Sequence, residues 1–355
     1  MTRTNNDARS SMSRMANATV ILASMVFGGL ACRSSDRATP AGTSSAALDL
    51  STKTSASAKW PEEVREVSIL STADGSTQHA LFWEAPGQEE RPLLVALHSW
   101  SGDYRQNTGI PYAIGCLERR WHFIHPDFRG VNQCPAVTCS DLAVTDILDA
   151  VEFARRHGRA DDRRIYLVGV SDGAMVSLHV LAKAPGLWAG VSAWVPISDL
   201  AGWHAETKTR GLHYTPQIEA SCGGPPGVSA AVDFQYWSRS PIHFLARAAG
   251  VPLDLNAGIR DGHEGSVPIS HSLRALPVLA YPSDRLSESA IAGTVRTAQV
   301  PEGLRSTDSD ATYGANTVLF RRQSGSTRLT LFDGGHEIVH GAAFAWLEKQ
   351  RRQSD

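Results

Sequence analysis

From residue 59 onward, short apolar runs alternate with stretches whose apolar positions recur at helical spacing. Pro92 to Leu97 and Ile165 to Val170 are continuous apolar runs, the pattern of strands buried on both faces of a parallel sheet. Val67 to Leu70 and His79 to Glu84, separated by Asp74-Gly75, predict an opening antiparallel hairpin. Trp121 to Ile124, Val191 to Ile197, Leu253 to Ala257 and Arg328 to Phe332 supply the remaining strands. Between them, Leu142, Val144, Ile147, Leu148 and Val151 mark a long amphipathic helix that starts at Ser140 and stops near Gly158. A last helix is expected from Ile338 to Gln350. The alternation predicts an α/β fold, a mostly parallel central sheet flanked by helices. Residues 198–249 are rich in Trp, Tyr, Gly and Pro and weakly periodic, so they predict an irregular insertion after the sixth strand that helps to roof a site.

The first residues follow a different rule. Arg3, Arg9 and Arg14 precede an apolar run from Ala18 to Ala31, too short to span a membrane as a helix and built like a secretory signal. Gly29-Leu30-Ala31-Cys32 resembles a bacterial lipoprotein signal, with the leucine two residues before the cysteine instead of the usual three. Residues 1–31 are therefore expected to be a signal peptide and Cys32 a lipidation site. Residues 32–58, rich in Ser, Thr and Ala, form a flexible tether, and residues 59–355 the catalytic domain. Export to the periplasm, the outer membrane or the medium follows as an expectation.

Export would permit disulfides. Four cysteines remain after Cys32: Cys116, Cys134, Cys139 and Cys222. Cys134 and Cys139 are close enough to close a small loop, which would leave Cys116 with Cys222, although four cysteines allow three connectivities. The net charge of −2 over 355 residues gives no footprint for nucleic acid or an anionic membrane surface. Membrane contact is expected only through the N-terminal lipid.

The chemistry concentrates where a strand meets a helix. Gly169-Val170-Ser171-Asp172-Gly173 has the form of a nucleophile elbow, in which a sharp strand-to-helix turn exposes a strained serine. Roughly one chain in four or five of this composition would hold the bare pattern by accident, so its partners decide the matter. A serine needs an imidazole to take its proton, and the imidazole needs a carboxylate to fix its tautomer. Asp261 follows the Leu253 to Ala257 strand, and His336 follows the Arg328 to Phe332 strand in Gly334-Gly335-His336. Ser171, Asp261 and His336 thus occur in the order that such a sheet requires. Glu264 and Asp254 are the other candidate acids.

Two backbone donors must meet the developing oxyanion. One is expected at Asp172 and the other at Ser99 or Trp100, in the loop after the Pro92 to Leu97 strand. His98, Trp203 and Tyr236 are candidate substrate contacts, and Asp127 with Arg129 a structural ion pair near the site. His336-Glu337-Ile338-Val339-His340 also matches the zinc-hydrolase pattern H-E-x-x-H. That reading needs both histidines one turn apart on a helix. Gly334-Gly335 argues against it by placing His336 in a loop, so no metal ligand is expected.

Taken together, His98 to Tyr104, Pro126-Asp127-Phe128-Arg129-Gly130, the Ser171 turn, Ser238-Arg239-Ser240-Pro241, Val267-Pro268 and Gly334 to Glu337 resemble the α/β-hydrolase superfamily. The resemblance is to its prolyl-oligopeptidase-like, dienelactone-hydrolase-like branch. It implies the α/β-hydrolase fold and a Ser171-Asp261-His336 triad working without a cofactor. The chain departs from the branch in carrying Ser99 where the oxyanion loop usually has glycine, and in the extra residues 262–266 that keep Glu264 in play. Peptidases of this branch usually carry an N-terminal propeller, for which this chain has no room after its tether. A carboxylesterase acting on a small-molecule or carbohydrate ester is therefore the main expectation. Peptide hydrolysis is the alternative, and zinc hydrolysis a remote one.

Overall fold

The structure, a computed structural model, describes residues 59–306 and 309–353. The expected signal peptide, tether and Cys32 lie outside the described residues. Nine strands form one sheet: β1 (Arg65–Leu70), β2 (Thr77–Trp83), β3 (Arg91–Leu97), β4 (His122–Pro126), β5 (Ala160–Val170), β6 (Gly190–Trp194), β7 (Leu253–Gly258), β8 (Val318–Ser324) and β9 (Thr327–Phe332). Their spatial order is β1-β2-β4-β3-β5-β6-β7-β9-β8. The six strands from β4 to β9 across this order pair in parallel, while β1, β2 and β8 join antiparallel at the two sides. This is the α/β-hydrolase arrangement, with helices flanking a mostly parallel sheet.

Burial follows the sequence pattern. β3 is buried from Pro92 to Leu97 and β5 from Ile165 to Val170, whereas the edge strand β1 leaves alternate residues in solvent. The flanking helices are α1 (Ile110–Arg119), α2 (Asp141–Gly158), α3 (Asp172–Lys183), α7 (Ser270–Leu279), α8 (Glu288–Thr297) and α9 (His340–Leu347), with α4 (Leu200–Thr209), α5 (Tyr214–Cys222) and α6 (Ala230–Arg239) between β6 and β7. The Ser140 hydroxyl caps α2 by accepting from the Ala143 N–H at 3.1 Å.

Several expectations need correction. The insertion after the sixth strand is helical, not irregular: Asp199 caps α4, accepting from Ala201 and Gly202, and Ser229 caps α6. The apolar pattern does not announce β8, because its Arg321-Arg322 pair interrupts the run of an edge strand. The last helix starts at His340, two residues later than expected. Cys116, Cys139 and Cys222 are free and buried, so neither the Cys134–Cys139 nor the Cys116–Cys222 pairing forms. No helix among the described residues is long and apolar enough to cross a membrane.

Register carries the consequence for function. Val170 lies opposite Trp194, and the Ser171 N–H donates to the Trp194 carbonyl at 2.9 Å, so the chain turns at the carboxyl edge of the sheet. Gly258 at the end of β7 lies opposite Phe332 at the end of β9. Asp261 and His336 follow these two residues by three and four positions, on the same edge.

Candidate active site

Ser171 stands between β5 and α3 with φ 60° and ψ −121°. A β-carbon-bearing residue at this φ costs of order 1–3 kcal/mol, which the surrounding sheet and helix must offset. The turn closes because its two glycines leave no room for anything larger. A β-carbon on Gly169 would run into the Gly173 backbone, and one on Gly173 into the Leu97 carbonyl. The N-terminus of α3 then points its partial positive charge at the serine.

Across the edge, the His336 Nδ1 lies 2.7 Å from the Asp261 Oδ2. Asp261 is 1% exposed, and its other oxygen accepts from the Gly262 and Val267 N–H groups at 2.9 and 3.2 Å. Three donors hold the carboxylate in place, and its contact with Nδ1 orients the imidazole and leaves Nε2 as the nitrogen away from the acid. Gly265 makes the approach feasible, since a β-carbon there would meet both the Asp261 carboxylate and the His336 side chain.

The rival acids have other duties. Asp254 is fully buried inside β7 and accepts from Arg328 at 2.7 Å and Asn256 at 2.8 Å. Glu264 is exposed and pairs with Arg260 at 3.2 Å. The zinc pattern fails on geometry, because His336 lies in the turn before α9 and only His340 belongs to the helix. His340 is half-buried and packs against Tyr112, ring centres 4.8 Å apart, and desolvation pulls its pKa down to about 4. Among the described residues, no three His, Cys, Asp or Glu side chains gather as a metal site would require.

The oxyanion loop sharpens one expectation. The Ser99 N–H donates to the Gln106 Oε1 at 2.9 Å, so it is committed elsewhere and Trp100 is left as the candidate of the pair. The expected substrate contacts also need correction. His98 is fully buried, stacks on Phe128 at 3.8 Å, and meets the Ser99 and Asp127 carbonyls through its two nitrogens. Trp203 is 1% exposed and donates to the Ser266 carbonyl at 3.1 Å, while the buried Tyr236 donates to the Gly224 carbonyl at 3.0 Å. These three side chains are buried and spend their polar atoms on backbone carbonyls. Arg129 does not pair with Asp127 either: it binds Asp146 at 2.5 Å and Asp74 at 2.7 Å.

Other residues went unnoticed in the sequence. The insertion grips the acid loop through Arg210, whose guanidinium donates to the Gly265 carbonyl at 2.6 Å and the Ser266 carbonyl at 3.3 Å. It also grips the oxyanion loop: Trp100 stacks edge-on to Trp203 at 4.8 Å, and its indole N–H donates to the Gln217 Oε1 at 2.8 Å. The Ser266 hydroxyl lies 3.5 Å from the His336 Nε2. Asn132 bonds to the Asp172 carboxylate at 2.8 Å. Asp172 is wholly buried, and burial raises its pKa to about 7, partly countered by that one bond. No periodicity or spacing marks these residues, because each works through a neighbour distant in sequence.

Residues 140–286 match the prolyl oligopeptidase family, a stretch that runs from the α2 cap through the Ser171 turn and the Asp261 loop and ends before His336. A curated relative, acylamino-acid-releasing enzyme 1 of Oryza sativa subsp. japonica, is 24% identical over 144 residues, 36% of this chain and 18% of its own length. The chain thus spans less than a fifth of that relative. Solved structures similar to this one include Pyrococcus horikoshii acylaminoacyl peptidase, at 19% identity and TM-score 0.49 over 61% of this chain and 34% of that one. Prolyl oligopeptidase B from Galerina marginata gives 16% identity and TM-score 0.49, over 61% and 31%.

Proposed function

We propose that this chain, an α/β hydrolase of the prolyl-oligopeptidase type, is a serine peptidase that cleaves amide bonds of small, blocked peptides through an acyl-enzyme at Ser171. The observation that carries the serine chemistry is the 2.7 Å bond between His336 Nδ1 and Asp261, on the sheet edge where Ser171 holds its strained turn. The amide preference rests on the family match of residues 140–286 and on the named activity of the rice relative. It displaces the ester expected from the sequence to second place.

Each step follows from the arrangement. The His336 Nε2 takes the Ser171 proton as Oγ forms a bond to the carbonyl carbon, and the imidazolium is stabilised by the Asp261 carboxylate. The carbonyl oxygen becomes an oxyanion against the Asp172 and Trp100 N–H groups, beside the α3 N-terminus. His336 returns the proton to the departing amine as the C–N bond breaks. Water then gives a proton to His336 as it attacks the acyl carbon, and His336 passes that proton to Ser171 Oγ as the acyl C–O bond breaks, releasing the acid and restoring Ser171.

Substrate preference is read by comparing acetyl-alanyl p-nitroanilide with p-nitrophenyl acetate and butyrate. Turnover of the anilide with kcat/KM within about tenfold of the esters supports the peptidase reading. Ester turnover with none of the anilide would return the chain to the carboxylesterases.

A further inference from the structure

Asn132 stands where the two halves of the oxyanion site meet. Its backbone N–H donates to the Trp100 carbonyl at 3.1 Å, and its side-chain amide donates to that carbonyl at 3.2 Å and to the Asp172 Oδ2 at 2.8 Å. Asn132 is 1% exposed and Asp172 is fully buried, so these bonds work without competition from water. The other end of the amide is also fixed, since the Asn132 Oδ1 accepts from Thr138 Oγ1 at 2.5 Å. Thr138 Oγ1 in turn lies 3.0 Å from Ser221 Oγ on α5, and Ser221 bonds to the Gln217 carbonyl at 3.0 Å. Gln217 returns to Trp100 through the indole bond. Polar contacts thus link the nucleophile turn and the oxyanion loop through Asn132 and reach the insertion at Ser221 and Gln217.

We infer that Asn132 is a positioning residue for the oxyanion site, setting the spacing of the Asp172 and Trp100 backbone donors by bridging the residues that carry them. The inference rests on the serine-hydrolase reading above. Asp172 shows why a bridge is needed. Among the described residues its Oδ1 has no hydrogen-bond partner, and the Asn132 amide is the side chain that anchors this buried carboxyl beside the nucleophile. Losing the Asn132 side chain leaves that carboxyl without its amide donor and takes one of two bonds from the Trp100 carbonyl, which keeps the Asn132 backbone N–H. Because the donors matter to the tetrahedral oxyanion more than to the ground-state carbonyl, the loss falls on kcat rather than on KM.

The test compares wild type, Asn132→Ala and Thr138→Val with p-nitrophenyl butyrate and with an alkyl trifluoromethyl ketone, which forms a hemiketal oxyanion on the nucleophile. Asn132→Ala should lower kcat by about 10- to 100-fold with KM within about threefold, and weaken the ketone by the same factor as kcat/KM. Thr138→Val, which frees only the Oδ1 end, should show a smaller loss in the same direction. A structural role alone would lower the thermal midpoint while leaving ketone affinity at low temperature unchanged, and that result overturns the inference. So does a rise in KM at constant kcat. If Asn132→Ala does not fold, Thr138→Val decides, and wild-type kcat and ketone affinity in it overturn the inference. A wild type that forms no adduct at Ser171 instead removes the serine-hydrolase reading, and the inference with it.

Discussion

Two aspartates are buried at the carboxyl edge of the sheet, and their surroundings differ in kind. Asp261, in the loop after β7, meets His336 and two backbone N–H groups, so both of its oxygens are satisfied. Asp172, at the start of α3, has a single amide on one oxygen and, among the described residues, no partner on the other. Burial is alike, at 1% and 0% exposed, so burial does not decide what each carboxyl does. The donors decide it. Asp261 has donors on both oxygens and lies against the imidazole, whereas Asp172 is pushed up to about 7 by desolvation. A charge held against the catalytic base serves the chemistry, while a charge buried beside the growing oxyanion would oppose it.

The comparison breaks hardest at the triad. Ser171→Ala and His336→Ala should each lower kcat by about 10⁴- to 10⁶-fold, with the double variant little worse than either, measured on p-nitrophenyl butyrate. Asp261→Asn should cost about 10⁴-fold, because the amide favours the wrong tautomer of His336. Glu264→Ala should stay near wild type, since its carboxylate faces Arg260 and not the imidazole. A collapse in Glu264→Ala with a healthy Asp261→Asn would reverse the roles of the two acids.

Asp172 offers a thermodynamic test instead of a kinetic one. Its folded pKa is raised to about 7 from the ordinary aspartate value near 4. The native carboxyl therefore keeps a proton that the unfolded chain has lost. Its contribution is fully present below about pH 4 and is lost as the pH rises to about 7. Asp172→Asn cannot titrate, so its stability relative to wild type should grow across that window by roughly 2–4 kcal/mol. Denaturant melts at pH 4.5, 6 and 7.5 measure it, and a constant difference would show that Asp172 is ordinary. The smallest effect is expected at His340, which is half-buried at the start of α9 and makes no bond to Asp261 among the described residues. His340→Phe should leave turnover and its indifference to EDTA unchanged. It should also flatten the loss of stability on acidification between about pH 6.5 and 4, because the native imidazole resists protonation while the unfolded one does not.

The parts of the molecule legible in sequence are those governed by neighbours along the chain. β3 and β5 show themselves as continuous apolar runs, and the Ser171 turn by glycines that the strand–helix crossing demands. The candidate triad could be listed because each member directly follows a strand. What failed depends on neighbours distant along the chain. β8 is an edge strand whose arginines disguise it, and α4 and α5 hide behind Gly202 and Pro216. Arg129 was assigned to Asp127, two residues away, but it finds Asp146 and Asp74 across the fold. Ser99 read as a donor because nothing local shows that Gln106 occupies its N–H. Trp203 and Tyr236 read as pocket residues, whereas their rings pack inward and spend their polar atoms on backbone carbonyls.

The most direct test is covalent labelling with a fluorophosphonate, followed by peptide mapping, on wild type and His336→Ala. The account predicts phosphonylation of Ser171 in wild type, slowed by orders of magnitude in His336→Ala, with p-nitrophenyl butyrate turnover untouched by EDTA. Label on another serine, or none at all with turnover abolished by EDTA, would contradict it and move the chemistry away from Ser171.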